Sequence, residues 1–502
     1  MKKTLWTALL LSTLTAAGSS PVSISGFFNS SYDYIHFYRH TTNDTNPAFG
    51  NNSSSTTETG EFIAPSTLGM KSASFHTHLL KLQPQVLVND AASFFSEVTV
   101  GYGNSKHWGE DSEVKKAGSN QSNAPLYLQN SMRSTLYLTK MYMELYADTA
   151  TWIIGRAPMH YGLGAIFNEG KNPTDRFSSI HDGVSANIKL GNFLFTPFWY
   201  IASSDGNASN PGELTSARST KFYGLTFLYD NFKRSLALGI HLSWKKSSPA
   251  SVFYQGARTS DDELYSNVTN GVGLGGTNVK ITDFYFKKAF GPFEFQVEIP
   301  LIRGDIGHAL SSSANSKYKG LGVIAESTYT INDQWNAGVD FGHVTGESGD
   351  SGNFDALFLH PNYQVANLMF RHNLSAISDK TNNSVFDSYI HNTRYLKLHG
   401  QYDLGNWIWD FAFIYAKAHK TARAGQMSYD HNRNILYPSA ASQSDKMGSE
   451  IDVNFTYKWN PSVDVNGGFG QWFVGDYYAF TGSTPQAHKN PYSLHFNVTL
   501  KF

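Results

Sequence analysis

Three carboxylates fall within nine residues in the run Glu347-Ser348-Gly349-Asp350-Ser351-Gly352-Asn353-Phe354-Asp355. Hard oxygen donors at such short spacing suit Ca²⁺, so Glu347, Asp350 and Asp355 are candidate calcium ligands. The run lacks the spacing of a helix-flanked calcium loop, and its other reading is an acidic surface turn. His76 and His78 share one strand face, but two imidazoles do not complete a metal site. Gly271-Val272-Gly273-Leu274-Gly275-Gly276 has the glycine density of a phosphate loop. It lies between strand patterns with no helix to follow, so no backbone dipoles align on a phosphate. No Gly-x-Ser-x-Gly elbow occurs. These patterns point away from an enzyme and call for no cofactor. A denser set sits in 157–182, which is rich in glycine and carries His160, Tyr161, Phe167, Asn168, Asp175, Arg176 and Phe177.

What positions these groups is a chain of strands. After residue 22 the apolar period is 2. In the last segment Tyr492, Leu494, Phe496, Val498, Leu500 and Phe502 fall on one face, and Ser493, His495, Asn497, Thr499 and Lys501 on the other. Ile451, Val453, Phe455, Tyr457 and Trp459 oppose Asp452, Asn454, Thr456 and Lys458 in the same way, as Leu236 to Trp244 and Phe293 to Leu301 also do. Turn-forming pairs recur at Asn89-Asp90, Asp148-Thr149, Gly191-Asn192, Asp230-Asn231, Gly291-Pro292, Asn332-Asp333, Gly405-Asn406 and Asn460-Pro461. Long polar segments lie between the hairpins, so short and long connections alternate. Eight hairpins plus a first and a last strand predict about 18 antiparallel strands, with 16 as the alternative count. One wholly apolar and one wholly polar face per strand predict an all-β, transmembrane antiparallel barrel with short periplasmic turns and long extracellular loops. Tyr402 and Trp407 flank one short turn and Tyr457 and Trp459 precede another, at the level where a bilayer favours amphipathic rings.

Composition agrees. Lys plus Arg is 39 and Asp plus Glu is 40, a net charge of −1, which excludes a nucleic-acid binder that works by bulk phosphate neutralisation. Cysteine is 0, so there are no disulfides, thiolate sites or lipoprotein anchor. Aromatic residues make up 15% and charged residues only 16%, while a mean hydropathy of −0.34 is too polar for a helical membrane protein. Lys2 and Lys3, the apolar run from Leu5 to Leu11 and the small residues Ala16-Ala17-Gly18-Ser19 predict a secretory signal peptide over 1–19, followed by a single barrel over 20–502.

With its final strand ending in Phe502, the chain resembles Gram-negative outer-membrane porins, and loosely alginate-export-type 18-stranded barrels. Gly155-Arg156-Ala157-Pro158 with Tyr161-Gly162-Leu163-Gly164, Asp175-Arg176-Phe177 and Asp182-Gly183-Val184 look like an element of porin-like barrels without assigned chemistry. The resemblance implies location in the cell outer membrane, contact with its lipid and lipopolysaccharide, and reading of Phe502 by the barrel-assembly machinery. It implies a homotrimer if the likeness to porins governs, and a monomer if the alginate-export likeness does. It also implies that the third long loop folds inward.

The expected function is a channel for passive diffusion of small polar solutes, narrowed by inward-folded loops 157–182 and 347–387. A selective saccharide or anion channel, and a structural or adhesive barrel without an open pore, are the alternatives. Strand parity nominates Lys81, Glu97, Lys140, Glu144, Glu298, Glu326, Asp340, Lys397 and Asp452 as pore-lining, on faces whose other reading is solvated wall without a selectivity role. Arg156 and Arg176 join them as constriction donors, with Arg176 pinning its loop to Asp175 or Asp182 as the other reading. Phe354, Leu357, Leu359, Val365, Leu368, Met369 and Phe370 make 347–387 too apolar to extend into water, so it should enter or cap the mouth.

Overall fold

The computed structural model describes residues 21–36, 72–101, 108–109, 135–202, 220–246, 278–306, 316–349, 352–372, 388–431, 435–480 and 489–502. The expected signal peptide, Asp350, the Gly271–Gly276 run and most of four long connections (37–71, 102–134, 203–219 and 247–277) lie outside these residues.

Eighteen strands close into one antiparallel barrel. We number them β1 (Val22–His36), β2 (Ser72–Asn89), β3 (Ala92–Gly101), β4 (Thr135–Tyr146), β5 (Ala150–Pro158), β6 (Ile180–Leu190), β7 (Phe193–Ala202), β8 (Thr220–Asn231) and β9 (Leu236–Lys246). They continue with β10 (Asn278–Phe290), β11 (Phe293–Asp305), β12 (Gly322–Thr330), β13 (Trp335–Val344), β14 (Thr393–Asp403), β15 (Trp407–Ala418), β16 (Lys446–Asn460), β17 (Val463–Val474) and β18 (Tyr492–Lys501). Each pairs with the next, and β18 returns to β1 over Phe27↔Lys501 to His36↔Tyr492. At the end of that seam Gly26 donates to the Phe502 carbonyl at 2.9 Å and accepts from the Phe502 amide at 3.1 Å. Among the described residues the barrel sheet has no open edge, which is the condition for strands in hydrocarbon.

The eight short turns fall where the turn pairs predict, with one displacement. After Asn231 the chain makes a 3₁₀ turn over Phe232–Arg234, capped by the Asn231 side chain on the Arg234 amide.

Alternation sorts the side chains. Leu138, Met141, Trp152, Trp199, Phe284, Phe411, Phe413, Ile451, Phe496 and Leu500 are exposed on the outer face. Asn29, Lys81, Glu97, Asp283, Glu298, Glu450, Asp452 and Asn497 are buried on the inner face. Near the turn rim, Trp335 stacks on Tyr402 at 4.4 Å and Trp407 lies 4.5 Å from Tyr457, a band of rings set at one end of the strands.

The packed core sits inside the barrel, at its loop end. Phe354, Leu357, Leu359, Leu368 and Met369 from the connection between β13 and β14 pack with Ala165 and Phe167 from the connection between β5 and β6, and with Ile281, Ile302, Ile324, Val344 and Ile414 of the wall. By strand count alone a barrel of this size leaves an aqueous bore; here the two loops fill that end of it.

Candidate functional site

Two loops meet across the lumen. In the first, residues 159–179, the Tyr161 hydroxyl donates to the Asp283 carbonyl at 3.1 Å, and the Leu163 amide donates to Glu298 on β11. Gly162, at φ +58, passes so close that a Cβ there would stand 2.5 Å from the Glu298 carboxylate. Only glycine fits both the left-handed backbone and the contact. Farther along, the Lys81 ammonium donates to the Gly170 carbonyl at 3.1 Å. Lys81 stands beside Glu97, which accepts from Lys140 at 2.9 Å and from Gln83 at 2.9 Å, so a charged patch of β2, β3 and β4 holds this loop to the wall.

In the second loop, residues 352–372 are pinned by the opposite wall. Glu450 accepts from the Leu368 and Met369 amides at 2.6 and 2.7 Å, and Asp452 accepts from the Asn367 amide at 3.0 Å. The Tyr363 hydroxyl donates to Glu326 at 2.7 Å. A carboxylate that accepts main-chain N–H groups satisfies donors a buried loop would otherwise strand, and charge makes each bond stronger than a neutral one. The loops are also tied to each other. The His360 amide donates to the Ala165 carbonyl at 2.7 Å, and the Asn362 side chain donates to the Phe177 carbonyl at 2.7 Å.

Beneath this bridge, toward the turn rim, two polar cavities of about 470 and about 310 Å³ share Gln364, Asn367, Arg371 and Asn454. The larger is also lined by Asn172, Arg176, Asn466, His495, Asn497 and Lys501. The smaller reaches Lys397, His399, Asp410 and Asp452. Arg371 stands 3.9 Å from Asp33, and Lys501 pairs with Asp464. The surface is therefore an array of amides with guanidinium and ammonium groups set among them.

The sequence candidates divide accordingly. Arg176, Lys397 and Asp452 line the cavities. Arg176 donates to the Thr77 hydroxyl at 2.9 Å. Asp340 stands 3.2 Å from His399, next to the smaller cavity. Lys81, Glu97, Lys140, Glu298 and Glu326 face inward but are engaged in holding loops or one another. Glu144 faces inward near the turn rim, where it accepts from Tyr146 at 2.7 Å. Arg156 does not line the pore. It shares the outward face of Trp152 and Ile154, and it forks onto Asp182 of β6 with both bonds at 2.7 Å. His76 likewise lies against Tyr32 on the outer face. Sequence reading missed Arg371, Asn367, Gln364 and Glu450. Glu450 was within reach, since it lies two residues before Asp452 on the same face.

The calcium expectation meets a different use of its carboxylates. Glu347 accepts from the Gly349 amide at 2.8 Å and from the Asp355 amide at 2.6 Å, closing the start of the loop on itself. Among the described residues, no group of three or more His, Cys, Asp or Glu side chains is placed to hold a metal ion. The Glu347 amide in turn donates to His431 at 2.7 Å, and the Gly346 amide to His419 at 3.0 Å, so this segment latches onto the next loop, 419–445.

Burial pushes the Glu347 carboxyl from 4.5 up to about 7, with the two amide bonds acting against the rise. The folded latch then binds more protons than the open one between those values, and its stability falls as pH rises from about 4.5 to about 7. His419 and His431 are pushed down by burial, to about 4 for His419, as acceptors of N–H groups require. Their contribution changes in the opposite sense below pH 6.5, so the Glu347 effect is isolated by comparison with Glu347→Gln. Limited proteolysis between pH 5 and pH 8 should show cleavage of this segment in the natural chain rising with pH relative to that in the variant, which carries the same histidines. Equal pH profiles would remove Glu347 from the latch.

A closed ring of strands with apolar residues outside, polar residues inside and a band of rings at its rim has one stable setting. This is a membrane-spanning barrel of the outer-membrane type. No family model matches the sequence, and no curated protein matches it. Among solved structures, the barrel is similar to OpdL of Pseudomonas aeruginosa, with 10% identity over 96% of this chain and 99% of that one at a TM-score of 0.49. It is similar to OccK5 (OpdH) of the same organism, with 9% identity over 96% and 98% at 0.46. OccAB3 of Acinetobacter baumannii gives 9% over 96% and 100% at 0.47. At such identities no residue role passes from those barrels to this one.

Proposed function

We propose that the barrel is an outer-membrane diffusion channel for small polar solutes, with a bore set by the bridge of residues 159–179 and 352–372. The observation that carries this reading is the amide-lined space around Gln364, Asn367, Arg371 and Asn454, kept polar beneath loops whose apolar side chains pack elsewhere. Amides offer paired donors and acceptors to hydroxyl groups, and they exchange readily with water, which suits passage rather than retention.

Cations predominate slightly in the larger cavity, where Arg176, Arg371 and Lys501 face Asp175 and Asp464. The channel should therefore favour anionic over cationic solutes of equal size. Planar-bilayer recording tests both statements. Steady single-channel currents are expected, with a reversal potential in a KCl gradient on the anion-selective side. Arg371→Gln should move that potential toward cation selectivity. A sealed barrel would support a scaffold instead.

A further inference from the structure

Four cations stand on the outside of the barrel, where a channel has no use for them. Lys221 and Lys246 are direct partners across β8 and β9, and Lys280 and Arg303 are direct partners across β10 and β11. All four are exposed, and they alternate with Phe222, Val279, Ile281 and Ile302, which are buried on the inner face. They occupy two successive rows at the loop rim. The upper row runs Ile201, Lys221, Lys246, Asn278, and the lower runs Trp199, Tyr223, Trp244, Lys280, Arg303. Trp199 and Tyr223 are exposed to the bilayer, and Trp244 stacks on Tyr223 at 5.9 Å with the Lys280 ammonium 5.5 Å from its ring. The cations thus sit at and just above the ring of amphipathic side chains that marks the headgroup level.

Like charges directly opposite one another on adjacent strands repel. Among the described residues none of the four has an acidic partner. The two carboxylates flanking the rows are committed, Asp182 to Arg156 and Asp305 to Lys317. Arg303 is steadied by the Ile302 and Gly320 carbonyls, which accept from its Nη1 at 3.0 and 3.2 Å.

We propose that Lys221, Lys246, Lys280 and Arg303 form a docking surface for the phosphate groups of a phosphorylated lipid in the surrounding leaflet. Charge complementarity selects an anion, and the outward direction and the neighbouring rings select one anchored in the membrane rather than a solute of the lumen. A second copy of the chain would bring the same cations against these and be repelled. The proposal rests on the membrane-spanning reading of the barrel, and it is independent of whether the pore conducts.

The test counts lipids retained by the purified full-length barrel in zwitterionic detergent by native mass spectrometry. The probes are bis-phosphorylated lipid A, its dephosphorylated counterpart and phosphatidylcholine, with inorganic phosphate as competitor. The natural chain should retain the phosphorylated probe and neither of the others, and equimolar inorganic phosphate should not displace it. Replacing all four cations with glutamine should weaken retention by about tenfold or more, because each basic group near an anionic headgroup layer adds to binding. Replacing the three lysines with arginine should preserve it. Equal retention of the dephosphorylated lipid by the natural chain would overturn the proposal without recourse to any variant. Displacement by inorganic phosphate, unaltered retention in the glutamine variant, or dimers of the chain in place of bound lipid would overturn it as well.

Discussion

Replacing residues 353–371 with a short Gly-Ser linker should raise single-channel conductance several-fold and abolish the anion preference, while the barrel still assembles. The segment supplies much of the apolar packing inside the loop end, from Phe354 to Phe370, and it also supplies Arg371. The strands do not need it. Their main-chain bonds run from β1 round to β18 without passing through the loop, and the outer apolar face is solvated by lipid whether or not the lumen is filled. A milder change acts on the anchor. Glu450→Ala leaves the Leu368 and Met369 amides without their acceptor. A buried donor left without an acceptor costs about 1–3 kcal/mol. That loss should loosen the loop without removing it, and currents should flicker between the natural level and a larger one. Unchanged conductance after the full replacement would place the solute path elsewhere.

Gly26→Val should abolish the folded barrel. Gly26 exchanges both main-chain bonds with Phe502 at the seam, and a Cβ there would stand 2.2 Å from the Lys81 carbonyl and 3.1 Å from the Phe502 ring. The nearer clash is with backbone, so no rotamer change relieves it. Overpacking a tight site costs about 1–3 kcal/mol when the surroundings can yield, and more where they cannot. An unclosed seam also strands the N–H and C=O groups of two edges in hydrocarbon. Electrophoresis without boiling should show the natural chain migrating as a compact species and Gly26→Val only as the unfolded one. Gly26→Ala tests the same point more gently, and its folded yield should fall between the two.

The barrel was legible because its signal repeats. Each strand crosses the same boundary, so the alternation seen from Tyr492 to Phe502 recurs from Leu236 to Trp244 and from Phe293 to Leu301, and the turn pairs count the hairpins. The inward course of 352–372 could be read from its composition, since a run such as Leu368-Met369-Phe370 has nowhere else to go. The partners of the loops could not. Glu298 reads as a wall charge and Glu450 goes unnoticed beside Asp452, and nothing local says that each is used to hold the backbone of a loop more than 80 residues away. Arg156 was misplaced because Gly155-Arg156-Ala157-Pro158 looks like the start of a loop. The parity of Trp152 and Ile154 runs through it and sets it on the outside. Arg371 lies beyond the reach of periodicity altogether, for its position is set by how an irregular segment turns.

The central claim is that solutes pass through an amide-lined space beneath two inward loops. The chain has no cysteine, so one introduced thiol reports one place. Gln364 borders both cavities, whereas Phe413 faces the bilayer. In planar bilayers, a charged, membrane-impermeant thiosulfonate should cut the current of Gln364→Cys stepwise and leave that of Phe413→Cys unchanged. An open current that is indifferent to modification at residue 364, with the label shown to have attached, would contradict the account.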